Sequence, residues 1–275
     1  MGEGGFHSRV GSAVLVTLWG GLMGACSAVQ TDFVDGNGYR HAVATFNANS
    51  DNNETLHIYI GGDGKPFVTP TEVAADPTPR STYVLKLQRR DPQSSVFLGR
   101  PCYHGLSRDV GCSPLAWTTE RYSEAVVLSM ATAIRNIGRG QRVMLIGYSG
   151  GGTLAMLIAP RLDNVEGVVT VAANLDIDAW ASYHGYTRLA GSLNPVVQSV
   201  ETQDLPQRHY FGSADVIIPA VMVERVRQAM PQGTVAVMEG FDHTCCWRRA
   251  WPRLLEQALS EFRASTRNAQ SAIRR

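Results

Sequence analysis

An α/β fold, with a mostly parallel central sheet and helices on both faces, is what this sequence predicts, and three observations carry it. Apolar runs of strand length, Val143 to Ile146 and Val165 to Ala172, lack the alternation of a half-exposed strand, as expected of parallel strands covered on both faces. Between such runs lie stretches of helical period, the longest from Trp117 to Arg139 with Val126, Met130, Ile134 and Ile137 on one face. At 275 residues the chain also suits one such domain with a large core.

Lys and Arg number 25 against 24 Asp and Glu, a formal charge of +1, so no nucleic-acid partner is implied. The chain shows no internal repeat. Its amino-terminal stretch from Val10 to Ala25 is apolar, studded with glycine, and ends in Leu22-Met23-Gly24-Ala25-Cys26. It reads as a signal peptide, too short and glycine-rich for a membrane span. Small residues ahead of a cysteine resemble the bacterial lipobox, which implies lipidation of Cys26 and a membrane partner through that anchor. A plain secretory signal cut nearby is the alternative. The domain boundaries expected are 1–25 for the signal, 26–40 for a polar tether, 41–264 for the folded domain and 265–275 for a flexible tail. The location implied is the bacterial cell envelope, periplasm or outer membrane, with secretion as the alternative.

Export changes how the other cysteines are read. Without Cys26 four remain, an even number in an oxidising compartment. Cys102 and Cys112 flank the short loop YHGLSRDVG and are expected to pair, contributing roughly 2–3 kcal/mol by constraining the unfolded chain. Cys245-Cys246 is then either a vicinal disulfide or two thiols. His243 beside them makes a metal site conceivable, but no second His/Cys cluster has ligand spacing, and neither metal nor cofactor is expected.

Taken in order, His41 to Phe46 and Leu56 to Ile60 read as strands joined by the turn-rich NANSDNNE, an antiparallel hairpin at the sheet edge. Arg80 to Arg90 reads as a helix and Ser95 to Leu98 as a short strand. Arg100 and His104 follow at that strand's carboxyl end, where ligand-contacting loops of open α/β sheets lie. The helix from Trp117 delivers the chain to Arg142–Ala159, which reads as strand, sharp turn, helix. After the strand Val165 to Ala172 a connection rich in Trp180, Tyr183 and Tyr186 reaches Pro195, too short for a helical cap. Strands at His209 to Gly212 and Thr234 to Met238 and a last helix near Arg263 complete the domain.

The turn at the centre of Arg142–Ala159 is Gly147-Tyr148-Ser149-Gly150-Gly151, a G-x-S-x-G sequence between a buried strand and a helix. On this motif and its context the chain resembles the α/β-hydrolase family, in its serine esterase and lipase-like branch. The resemblance implies Ser149 as nucleophile and an oxyanion hole from the N–H of Gly150 and a second N–H in Gly61-Gly62-Asp63-Gly64. Asp63 is the first choice for that second donor and Gly62 the alternative. The base must follow Ser149, and only His184, His209 and His243 do. His209 begins a strand, whereas His243 lies between the last strand and the last helix, the family's position for the base. Asp215, in a Gly-Ser-Ala-Asp turn, resembles the family's acid; Asp176 occupies a position some relatives use. The activity implied is hydrolysis of a small-molecule carboxylic ester or acyl substrate through an acyl-enzyme. Amide or peptide cleavage by the same triad, and a non-catalytic envelope binding protein, are the alternatives.

Overall fold

A computed structural model describes Met1 and residues 32–47 and 54–273. The expected signal peptide, Cys26 and the start of the expected tether lie outside the described residues. Among the described residues, ten strands and six α-helices follow one another along the chain. They are β1 (Asp32–Asp35), β2 (Arg40–Phe46), β3 (Leu56–Ile60), β4 (Phe67–Thr69), β5 (Glu72–Val73), α1 (Tyr83–Gln88), β6 (Ser95–Leu98), α2 (Glu124–Gly138), β7 (Val143–Tyr148) and α3 (Gly150–Ile158). After these come β8 (Val165–Val171), α4 (Ile177–Tyr183), β9 (Gln207–Gly212), α5 (Ala220–Ala229), β10 (Thr234–Met238) and α6 (Trp247–Ile273).

Eight strands form one sheet in the order β1-β2-β6-β3-β7-β8-β9-β10, and β4 pairs with β5 apart from it. In the eight-stranded sheet every neighbouring pair from β6 to β10 is parallel, while β1–β2 and β2–β6 are antiparallel. The hairpin expected of β2 and β3 does not form, because β6 lies between them. All five residues of β3 are buried. A strand without a polar face gains most from an interior place, where both of its edges and both of its faces are covered. The expected tether also differs in part, since Asp32–Asp35 adds an edge strand to β2.

Alternation along β3 divides the core. Leu56, Ile58 and Ile60 join the large cluster formed with α2, α3 and α5, including Met130, Leu154 and Val226. His57 and Tyr59 point to the other face, where both donate to Asp91 Oδ2 at 2.6 Å. Trp251 of α6 donates its Nε1–H to the Tyr59 hydroxyl at 3.0 Å, so the last helix is fixed to the third strand through buried polar groups that satisfy one another.

Two helix boundaries differ from the periodicity. α2 starts at Glu124, not Trp117, because Ser123 takes the extended backbone of an N-cap and accepts from Val126 N–H. Residues 114–117 form a 3-10 turn opened by Pro114, and 118–122 run as a loop. At the other end α6 continues through the residues expected as a tail, as far as Ile273. No helix among the described residues is long and apolar enough to cross a membrane.

Candidate active site

β7 ends in a turn tight enough to push one side chain out at the carboxyl edge of the sheet. Ser149 has φ +53° and ψ −130°, a left-handed conformation in which its N–H still reaches Val171 O of β8 at 2.9 Å. Glycine is required on the inner side of this turn: a β-carbon on Gly147 would stand 2.3 Å from Gly151 O. The Ser149 hydroxyl is thereby presented at the start of α3, whose first N–H groups have no partner within the helix and whose dipole favours negative charge there.

His243 arrives from the segment between β10 and α6, and Asp215 from the turn after β9. Ser149 Oγ lies 3.1 Å from His243 Nε2, and His243 Nδ1 lies 2.9 Å from Asp215 Oδ2. The second Asp215 oxygen accepts the N–H groups of Ile217 and Ile218 at 2.8 and 2.9 Å, which fixes the carboxylate. Its side chain is fully buried, so the imidazole edge beside it is dry on that side. The three residues named from the sequence therefore stand in one chain of hydrogen bonds.

The other candidates have separate occupations. Asp176 caps α4 through Ala179 N–H and pairs with Arg225 at 2.6 Å. His184 meets the carbonyl of Ile217 at 2.9 Å. His209 is buried between Thr170 and Gln207.

The loop after β3 passes directly beside the serine. A β-carbon on Gly62 would lie 3.1 Å from Ser149 Cβ, and among the described residues no oxygen accepts the N–H of Gly62 or Asp63. The Asp63 side chain lies against Gly150 in a cluster of its own. It accepts from Arg100, from Arg121 at 3.0 Å and from the Tyr122 hydroxyl at 2.6 Å, while its carbonyl accepts from Tyr103 at 2.8 Å. Burial alone would raise this carboxyl; the charges of Arg100 and Arg121 and the hydrogen bonds outweigh it and hold the pKa at about 2.

These groups open on a cavity of about 810 Å³. Arg100 and His104 line it, as expected of the end of β6, and so do Trp180 and Tyr186 from the connection after β8. Cys102 and Cys112 are bonded, and the link fixes the chain just past Arg100. Cys245 and Cys246 form a vicinal disulfide beside His243. Sequence reasoning missed Arg121 and Tyr122, which helical periodicity had absorbed into α2. It also missed Tyr148, whose hydroxyl donates to His243 O at 2.8 Å, and Tyr83, which donates to Thr244 O. A tyrosine inside the G-x-S-x-G motif was the one available sign of that support.

No family model and no curated protein matches the sequence. Solved structures do. A membrane phospholipase A described as a bacterial virulence factor is 17% identical, with a TM-score of 0.58, over 87% of each chain. Est1E from Butyrivibrio proteoclasticus is 12% identical, with a TM-score of 0.59, over 85% of this chain and 99% of its own. An α/β serine hydrolase without lid from Xanthomonas campestris is 13% identical, with a TM-score of 0.52, over 83% of this chain and 94% of its own. With the parallel sheet and the strand-turn-helix at Ser149, these likenesses establish the α/β-hydrolase fold.

Proposed function

We propose that this protein is a serine hydrolase cleaving a carboxylic ester through an acyl-enzyme. The observation that carries the reading is the unbroken chain from Ser149 Oγ through His243 to the buried Asp215 carboxylate. A serine hydroxyl is a weak nucleophile until a base takes its proton. Here His243 Nε2 removes it as Oγ attacks the ester carbonyl, and Asp215 holds Nδ1–H and stabilises the imidazolium. The oxygen that gains charge lies against the N–H of Gly150 and the N–H of Asp63 or Gly62, each donor worth about 3–4 kcal/mol in the barrier. Because the Asp63 carboxylate is neutralised by two guanidiniums, it does not oppose that charge. His243 then protonates the leaving alcohol, and water repeats the sequence on the acyl-enzyme.

The similar solved structures include a membrane phospholipase A, which supports ester chemistry. The lipobox-like Leu22 to Cys26 supports an envelope protein anchored through lipidated Cys26. Labelling with a fluorophosphonate beside Ser149→Ala tests the mechanism; adduct formation that persists in the variant, or none in either, refutes it. Turnover of a panel of acyl esters and peptide amides then fixes the class, and amide turnover without ester turnover would replace the ester assignment. Incorporation of radiolabelled fatty acid, lost in Cys26→Ala, tests the anchor.

A further inference from the structure

We propose that the Cys245–Cys246 disulfide is a positioning element for His243 and that its reduction slows the reaction at Ser149. The inference rests on the serine hydrolase reading. His243 is carried by the segment from Gly240 to Cys246, which has neither helix nor strand of its own. Its neighbours are tied at separate points: Tyr148 to His243 O, Tyr83 to Thr244 O, and Trp247 Nε1 to Asp242 O at 2.9 Å. Asp242 Oδ1 accepts from the Thr244 and Cys245 N–H groups. Beyond them, Cys246 O accepts the Arg249 and Ala250 N–H groups and so begins α6.

Cys246 is therefore the joint between the base's segment and the last helix, and it holds φ at +135°. A residue with a β-carbon rarely adopts that conformation, and it persists only where the surroundings dictate it. The covalent ring joining the two neighbouring side chains is the constraint at this joint that acts on the Cys246 side chain itself. Once the ring opens, Cys246 can return to negative φ. Cys245 and Thr244 then turn with it, while Ser149 stays in its turn at the start of α3. The imidazole is displaced from Oγ without loss of the core.

Both cysteines of this pair are exposed, and Cys245 lines the same cavity as Ser149 and His243. A small dithiol reaches them, whereas Cys102 of the other disulfide is completely buried. In the exchange one thiolate of the dithiol attacks a cysteine sulfur and the Cys245–Cys246 bond breaks. The second thiol then releases the mixed disulfide. Two electrons and two protons pass to the pair, leaving two thiols and the oxidised, cyclic reductant.

The experiment compares the full chain with Cys245→Ser/Cys246→Ser, each with and without dithiothreitol, by ester turnover, fluorophosphonate labelling rate and hydrogen exchange of residues 240–247. Displacing the base is expected to lower kcat and the labelling rate about tenfold with KM within about twofold. Wild type in dithiothreitol should match the variant, reoxidation should restore it, and the variant should ignore the reductant. An unchanged kcat in the variant, a loss confined to KM, or equal slowing of both proteins by dithiothreitol would overturn the proposal, the last assigning the effect to Cys102–Cys112. Should the variant not fold, partial reduction of wild type with mass-spectrometric assignment of the opened disulfide decides the same question: activity must follow Cys245–Cys246. If wild type takes no fluorophosphonate, the hydrolase reading fails, and exchange alone judges the positioning. Faster exchange confined to 240–247 supports it, and unchanged exchange refutes it.

Discussion

The carboxylate of Asp63 lies directly against Gly150: a β-carbon on that glycine would stand 2.0 Å from Asp63 Oδ1 and 2.5 Å from the Tyr122 hydroxyl. The loop after β3 and the first residue of α3, the two pieces of backbone that flank Ser149, are thus brought together over one anion. Arg100 and Arg121 set the position of that anion and Tyr122 closes it from the third side.

Replacing Asp63 by Asn removes the charge and leaves two buried guanidiniums facing each other. Unfolding free energy in urea should fall by about 3–5 kcal/mol, the cost of breaking a buried ion pair from one side. Tyr122→Phe deletes a single hydroxyl donor and should cost about 1–2 kcal/mol. Equal losses in the two variants would contradict the role given to the carboxylate.

Gly62→Ala tests the other side of the same gap. The new methyl would stand 3.1 Å from Ser149 Cβ, tighter than ordinary contact, so serine or loop must shift by a few tenths of an ångström. We expect kcat to drop about ten- to a hundredfold, as for a small misplacement of reacting groups, with a thermal midpoint close to wild type. Retained turnover would mean that the loop yields freely.

Asp215→Asn keeps the size of the acid and takes away its charge and its hold on the His243 tautomer. By the general behaviour of Ser-His-Asp triads kcat should fall about 10³- to 10⁴-fold. Circular dichroism should remain that of wild type, since Ile217 and Ile218 N–H groups can still find the amide oxygen.

Acid should unfold the protein through two histidines remote from the site. Burial holds His41 and His209 at pKa values of about 4, against 6.5 for an ordinary histidine; the Gly99 carbonyl counters this at His41 and the Arg208 charge adds to it at His209. The unfolded chain therefore binds their protons first. Stability is complete above pH 6.5 and is lost as pH falls towards 4, by about 3 kcal/mol for each histidine over the whole window. Urea titrations at pH 7.5, 5.5 and 4.5 measure the slope, and His41→Asn should remove about half of it.

Ser149, Asp215 and His243 follow as candidates from the G-x-S-x-G turn and the family resemblance it carries, and the fold places them after β7, β9 and β10, whose carboxyl ends share one edge of the sheet. The partners of β3 were not legible. A turn-rich connection such as NANSDNNE looks the same whether the chain folds straight back or passes over a strand made later, and only the burial of both faces of Leu56–Ile60 decides it. Arg121 and Tyr122 were hidden for a related reason: period alone extends a helix back through any residues that fit it, and Ser123 ended α2 by a backbone conformation that composition does not display. The support of His243 by Tyr83 and Tyr148 is purely tertiary, joining residues separated by 161 and 95 positions.

The bond from Trp251 to Tyr59 spans 192 positions of the chain. Contacts that distant form late, after the loop entropy between them has been overcome. A chain still being synthesised can assemble β3, β7 and the turn that bears Ser149, yet without a docked α6 the segment before it lacks the tie from Trp247 to Asp242 O. On the proposed mechanism, Ser149 consequently exists for some time without its base. Growing chains and fragments cut short of α6 should be chemically quiet, with the ability to cleave arriving only when the final helix closes over the sheet.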